Sequence, residues 1–203
     1  DDSIKDKEKA AYVPTFAVVV LYINNARWKG VPFLIKAGKA LDERKAEIRI
    51  QFKDPDRADE LYGVGSESVG KFHRNELVMR LQPDEVIYMK TTCKKPGLEH
   101  VPFQAELDLT YSDRFSGAYN PSAYTRLILE ALRGNQGDFV RGDEITTSWK
   151  LFDPLLKELE TGRSKQKPLP YKYGSRGPEK ADKLFSKIGF EHNEDYQWDD
   201  GKD

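Results

Sequence analysis

VPFLIKAGKALDERKAEIRIQF, Val31 to Phe52, changes character in its middle and decides the fold class. Its last third alternates: Ala46, Ile48, Ile50 and Phe52 fall on one side of an extended chain, with Glu47, Arg49 and Gln51 on the other. A period of two residues predicts a half-buried β-strand, and a rigid strand can hold Lys45 and Arg49 as fixed cations toward one ligand. The middle, Lys36 to Arg44, reads as a loop or short helical turn between strands. Gly38 there allows close backbone approach to an anion while Lys39 or Arg44 supplies charge. A solvated basic loop, balanced by Asp42 and Glu43, is the competing reading.

Working outward, Pro14 introduces TFAVVVLYI, whose near-continuous apolar character predicts a central strand covered on both faces. Phe33 to Ile35 is a second short strand. Downstream, Leu77, Met79 and Leu81 alternate with Val78, Arg80 and Gln82. Pro83 and Asp84 turn the chain into Glu85 to Thr91, where Val86, Tyr88 and Lys90 share a face. An antiparallel pairing of these two strands brings Arg80, Gln82, Tyr88 and Lys90 onto one polar face and extends the site begun at Arg49. In Gln104 to Tyr111, Ala105, Leu107 and Leu109 oppose Glu106, Asp108 and Thr110. Asp108 is either an orienting carboxylate or an ordinary exposed one.

The period lengthens after Asn120. Asn120 is a candidate cap for a helix carrying Tyr124, Leu127, Ile128 and Ala131, with Gly134 as its stop. A second helix spans about Asp143 to Glu160, with a bend at Pro154. GRSKQKPLP, Gly162 to Pro170, suits an extended connector, and Pro178 starts a last helix with Leu184, Phe185 and Ile188 inward and Gly189 as its stop. Strands followed by helices that need a surface predict an α+β domain on a large, predominantly antiparallel sheet with covering helices.

Composition bounds function. With 33 basic and 34 acidic side chains and a formal net charge of -1, the chain has no global nucleic-acid footprint, so any anion site is local. Cys93 stands alone, and His73, His100 and His192 lack metal-ligand spacing, so a metal site is not expected and a reducing, cytoplasmic setting is. The longest apolar run, Phe16 to Ile23, is too short for a membrane helix. No dinucleotide fingerprint or phosphate loop is present, GVGSES lacks the strand-to-helix setting of a nucleophile elbow, and none of the histidines has a persuasive general-base context. The residues therefore offer recognition elements and no catalytic constellation.

The ordered segments ARWKGVPFLIKAGKALDERKAEIRIQF, RNELVMRLQPDE, ELDLTY, AYTRLILEALRG and YGSRGP closely resemble the C-terminal portion of glucose-6-phosphate dehydrogenase, from about Pro14 to Trp198. The resemblance implies an NADP-dependent oxidoreductase converting glucose 6-phosphate to 6-phosphogluconolactone at the entry to the pentose phosphate pathway. It makes residues 1–13 a linker or remnant from a preceding coenzyme domain. Residues 14–203 become a substrate, structural-NADP and dimerisation domain, forming homodimers or tetramers by sheet-to-sheet contact. Lys39 and Arg44, with Gln82 beside them, carry over as sugar-phosphate ligands. Lys45, Arg49, Arg80, Tyr88, Lys90, Asp108, Arg176 and Trp198 carry over as ligands of a second, structural NADP, while His192 stands where animal members tend to place a tyrosine. The catalytic histidine and its orienting aspartate belong to the coenzyme portion, so residues 1–203 alone are expected to be inactive. The alternatives are a non-catalytic NADP-binding module and a purely structural dimerisation module.

Overall fold

A computed structural model describes residues 13–54, 73–98, 102–161 and 168–192. The described chain is mixed α+β. Strands β1 (Phe16–Tyr22) and β2 (Pro32–Gly38) form a two-stranded sheet. Strands β3 (Ala46–Gln51), β4 (Glu76–Gln82), β5 (Val86–Lys94) and β6 (Pro102–Thr110) form a four-stranded antiparallel sheet in sequential order. Helices follow at α1 (Tyr111–Arg114), α2 (Ala123–Arg133), α3 (Gly142–Glu160) and α4 (Glu179–Lys187).

Two compact units divide the chain. One holds the four-stranded sheet and α4, within Val18–Ser116 and Tyr171–Asp203; the other holds α2 and α3, within Gly117–Pro170, together with the N-terminal residues. In the second unit, Ser122 rather than Asn120 caps α2, its hydroxyl accepting from the Thr125 amide at 3.2 Å. Asn120 serves nearby, accepting from Arg126 at 2.6 Å. Gly134 ends α2 at φ 74°, the left-handed geometry that a residue without Cβ adopts cheaply. Helix α3 spans Gly142–Glu160 with Pro154 inside it, as the apolar spacing requires.

In the first unit the sheet register decides everything that follows. Across the sheet Arg49 stands opposite Val78, Val78 opposite Tyr88, and Tyr88 opposite Asp108. The neighbouring rows on the same face are Glu47, Arg80, Val86 and Thr110, then Gln51, Glu76, Lys90 and Glu106. The opposite face carries Ile48, Ile50, Leu77, Met79, Ile87, Met89, Leu107 and Leu109. Val78, Val86 and Tyr88 are fully buried and form the core on the charged face. Helix α4 starts after Pro178 and buries Ala181 and Phe185, one turn apart, with Phe190 edge-on to Phe185 at 6.1 Å.

Two expectations change. The TFAVVVLYI run is not a central strand: β1 pairs within a two-stranded sheet, and Tyr22 and Ile23 are exposed. A continuous apolar run records that both sides avoid water, and part of that cover is not supplied by strands of this sheet. On β3 the apolar side is the open one, with Ile48 50% and Ile50 44% exposed, while Glu47, Arg49 and Gln51 are half-buried. Residues 1–12 of the linker expected at 1–13, the GVGSES segment, most of the connector, His100 and Trp198 lie outside the described residues.

Candidate anion-binding face and loop

The charged face is organised by Glu76, 6% exposed, at the start of β4. Its carboxylate accepts from Arg49 Nη1 at 3.1 Å and from Gln51 Nε2 at 2.8 Å, and it pairs with Lys90 Nζ at 3.4 Å. Arg49 also donates through Nε to Glu47 at 2.7 Å, and Lys45 reaches Glu47 at 3.4 Å and Glu43 at 2.7 Å. Desolvating so many charges costs several kcal/mol per ion, on the order that only dense pairing offsets.

Protonation equilibria report the same competition. Burial pushes the Glu47 carboxyl up, but the hydrogen bond and charge of Arg49, helped by Lys45, outweigh it and hold the group below the ordinary carboxylate range. Burial works against the Arg49 guanidinium too, and Glu47, Tyr88 and Glu76 together raise it above its usual value. Burial lifts the Tyr88 phenol, with Arg49 opposing. At Lys90 burial wins: despite Glu76 its ammonium is lowered to about 8. Guanidinium and ammonium donors beside a buried aromatic ring have the chemistry to hold an organic phosphate with an attached ring system.

The structure brings Arg49, Arg80, Tyr88, Lys90 and Asp108 together on one face, as the alternation of β3 to β6 requires. Asp108 is exposed on β6 and accepts from the Thr110 hydroxyl at 3.0 Å. Arg176 lies off the sheet, bonded to Asp182 of α4 at 3.3 Å. Lys36 connects the two regions: burial lowers its ammonium, Arg176 adds to the effect, and Asp42 and Asp182 oppose it. Lys39 and Arg44 are exposed in the loop between β2 and β3, and exposed Gln82 pairs in register with Ala46 at that loop's far end.

Sequence reading missed the carboxylates and the clasp. Glu47 was legible as the neighbour of Arg49 on one strand face, but Glu76 is 27 residues from Arg49 and joins it only through register. Gln51 also clasps the segment after α4: its Nε2 donates to the Glu191 carbonyl at 2.7 Å and its Oε1 accepts from the Glu191 amide at 2.9 Å. Arg74 donates to the Gly189 carbonyl and binds Asp54 at 2.7 Å. His192, next to the clasped Glu191, lines a small pocket together with His73, Glu76, Lys90 and Gln104. Among the described residues no cluster of histidine, cysteine and carboxylate groups could hold a metal.

Fold and charge arrangement together define an α+β domain built on an antiparallel sheet with an ion-paired face. The family model for the glucose-6-phosphate dehydrogenase C-terminal domain matches residues 3–199, and the chain belongs to that family. A glucose-6-phosphate 1-dehydrogenase of Dictyostelium discoideum is 49% identical over 190 residues, covering 94% of this chain and 36% of the relative. A cytoplasmic isoform from Solanum tuberosum is 51% identical over 185 residues, covering 91% of this chain and 34% of the relative. The chain thus spans about a third of the length of these curated relatives. A solved glucose-6-phosphate dehydrogenase in complex with its substrate glucose-6-phosphate superposes with a TM-score of 0.77 at 42% identity, over 96% of this chain and 37% of that one. The Mycobacterium avium enzyme, at 24% identity and a TM-score of 0.68 over 91% of this chain and 36% of that one, shares the fold.

Proposed function

We propose that this chain is the C-terminal domain of an NADP-dependent glucose-6-phosphate dehydrogenase, contributing substrate recognition, a structural NADP site and dimerisation. The family match along nearly the whole chain carries the reading. Lys39 and Arg44 bind the sugar phosphate from the exposed loop, with Gln82 beside them; their exposure leaves both cations accessible to a dianion. Lys45, Arg49, Arg80, Lys90 and Arg176 serve a second NADP, with Tyr88 and Asp108 in the same row as Arg49, and Trp198 completes the set. These positive groups, Lys90 buried and Arg49, Arg80 and Arg176 half-buried, suit its phosphates, which share them with Glu47 and Glu76.

Oxidation of the sugar at C1 takes place against a coenzyme domain that supplies the proton acceptor. Bound NADP supplies the hydride acceptor. The part played by this chain is to hold the phosphate end, so that C1 is presented in one orientation; such positioning converts binding energy into rate. The apolar face of the sheet pairs with a second copy, giving a homodimer and from it a tetramer. Relatives named as cytoplasmic isoforms support a cytoplasmic setting, and among the described residues no helix is long and apolar enough to cross a membrane.

The test is glucose-6-phosphate-dependent NADPH formation by the intact protein and by residues 1–203 alone. Activity in the first and none above a no-protein control in the second is expected; turnover by the isolated chain contradicts the assignment of the catalytic base to another domain. A non-catalytic NADP-binding module would bind the nucleotide with no turnover in either form, and a purely structural module would bind neither ligand.

A further inference from the structure

The loop that carries Lys39 belongs to no helix, and among the described residues it joins regular structure through one isolated bridge. Its backbone hangs from a segment far along the chain. The Tyr171 hydroxyl, 132 residues away, donates to the Lys39 carbonyl at 2.8 Å. The Gly174 amide donates to the Ala40 carbonyl at 2.9 Å, and the Asp42 amide donates to the Ser175 carbonyl at 3.0 Å. Leu41 and Ser175 complete the contact as a parallel bridge. Between these ties Ala40 stands at φ 54°, in the left-handed region, which costs an alanine roughly 1 kcal/mol and persists only where neighbours enforce it.

The supporting segment is built to be stiff. Both the amide and the hydroxyl of Ser175 donate to the Lys172 carbonyl, at 3.1 and 2.6 Å. The Gly177 amide returns to the Ser175 hydroxyl at 3.3 Å, and Arg176 ties the segment to Asp182 on α4. Gly174 and Gly177, at φ 73° and 112°, give the segment turns that an L residue would resist. Of the four ties just named, the one from Tyr171 comes from a side chain.

We propose that Tyr171 is a positioning residue for the sugar phosphate: its hydroxyl fixes the Lys39 peptide, and with it the direction of the Lys39 ammonium, before substrate arrives. The inference rests on the assignment of Lys39 to glucose 6-phosphate. Without the hydroxyl, the loop must be ordered at the moment of binding, and that cost falls on substrate affinity rather than on the chemical step. Tyr171 is half-buried and touches no reacting atom in this scheme.

The experiment compares intact wild-type enzyme with Tyr171→Phe and, as a control two residues away, Tyr173→Phe, whose ring is 85% exposed. Tyr171→Phe is expected to raise KM for glucose 6-phosphate by about five- to tenfold, the effect of one hydrogen bond, with kcat and the KM for NADP within about twofold. Amide hydrogen exchange across Ala40–Asp42 is expected to quicken in the variant without ligand. Tyr173→Phe should match wild type in every respect. An unchanged KM with unchanged exchange overturns the inference, as does an equal fall in kcat with altered KM for NADP, which marks general loosening. A wild-type enzyme with no glucose 6-phosphate oxidation instead removes the functional reading, and the inference with it.

Discussion

The two faces of the four-stranded sheet are inverted relative to ordinary expectation. One face carries Glu47, Arg49, Glu76, Lys90 and Tyr88, and it is the covered one: Tyr88 is 1% and Lys90 2% exposed. The other is open along β3 and β6, where Ile48, Ile50, Leu107 and Leu109 are exposed, Leu107 by 71%, while Leu77, Met79, Ile87 and Met89 between them are half-buried. A monomer seldom leaves a contiguous apolar sheet face in water, nor does it bury an ion network without return. The contrast is resolved if each face answers to something outside this fold, a second copy on the apolar side and an anionic nucleotide on the charged side.

The sharpest way to break the charged half is Glu76→Gln. The substitution keeps the shape but leaves Lys90 and Arg49 without their common anion. Urea unfolding of residues 1–203 is expected to show a loss of about 3 kcal/mol, at the low end for a broken buried pair because Arg49 keeps Glu47. A loss below about 1 kcal/mol would mean that the network is solvated and not part of the core.

On the open half, Leu107→Lys should separate association from folding. Two copies of an unpaired cation meeting across a two-fold interface are expected to weaken the dimer by about a hundredfold, at about 1–3 kcal/mol per copy. Monomer stability should stay within about 0.5 kcal/mol, as for other exposed positions. Sedimentation over a concentration range reads both, and an unshifted dimer would place the interface elsewhere.

Lys90 gives a smaller effect with a definite sign. Its folded-state value of about 8 lies below the ordinary 10.5, so between these pH values the unfolded chain binds more protons than the folded one. Stability from this group therefore rises as pH increases from about 8 toward 10.5, and the penalty is fully present below 8. Glu76, Arg49 and Glu106 act on the same ammonium and set the size of the change. Chemical unfolding at several pH values should show the rise in wild type and a flatter profile in Lys90→Met; an identical slope in both would assign the titration to another group. The smallest effect belongs to Asp108→Asn at the exposed end of the central row: melting temperature nearly unchanged, and NADP affinity lower by a few fold, on the order of one weakened hydrogen bond to the nucleotide's sugar or amide groups.

The alternation of β3 to β6 made both faces legible in sequence, and Gly134 and Gly189 marked helix ends where the structure has them. What alternation could not tell is which face is covered. Alternation separates two sides without ranking their burial: Ile48 and Ile50 are exposed, while Arg49 and Gln51 are half-buried. The run at β1 misled for a related reason, since continuity of apolar residues does not say how many strands flank them. Four-residue α1 is too short to impose a period. The cations of β3 to β5 and the neighbouring Glu47 were readable as charges on strands, and Glu76 was not, because it meets Arg49 across 27 residues through register rather than spacing. Tyr171 gave no local signal at all.

The division of labour between the faces is tested most directly by titrating NADP into residues 1–203 while following the melting temperature, beside the charge-neutralised variant Arg49→Gln. Wild type is expected to gain about 2.7 kcal/mol of stability once free nucleotide reaches a hundred times its dissociation constant, and Arg49→Gln to need much more nucleotide for the same gain. A melting temperature that stays level through millimolar NADP in the wild type would contradict the account, leaving the charged face as a structural network with no nucleotide to serve.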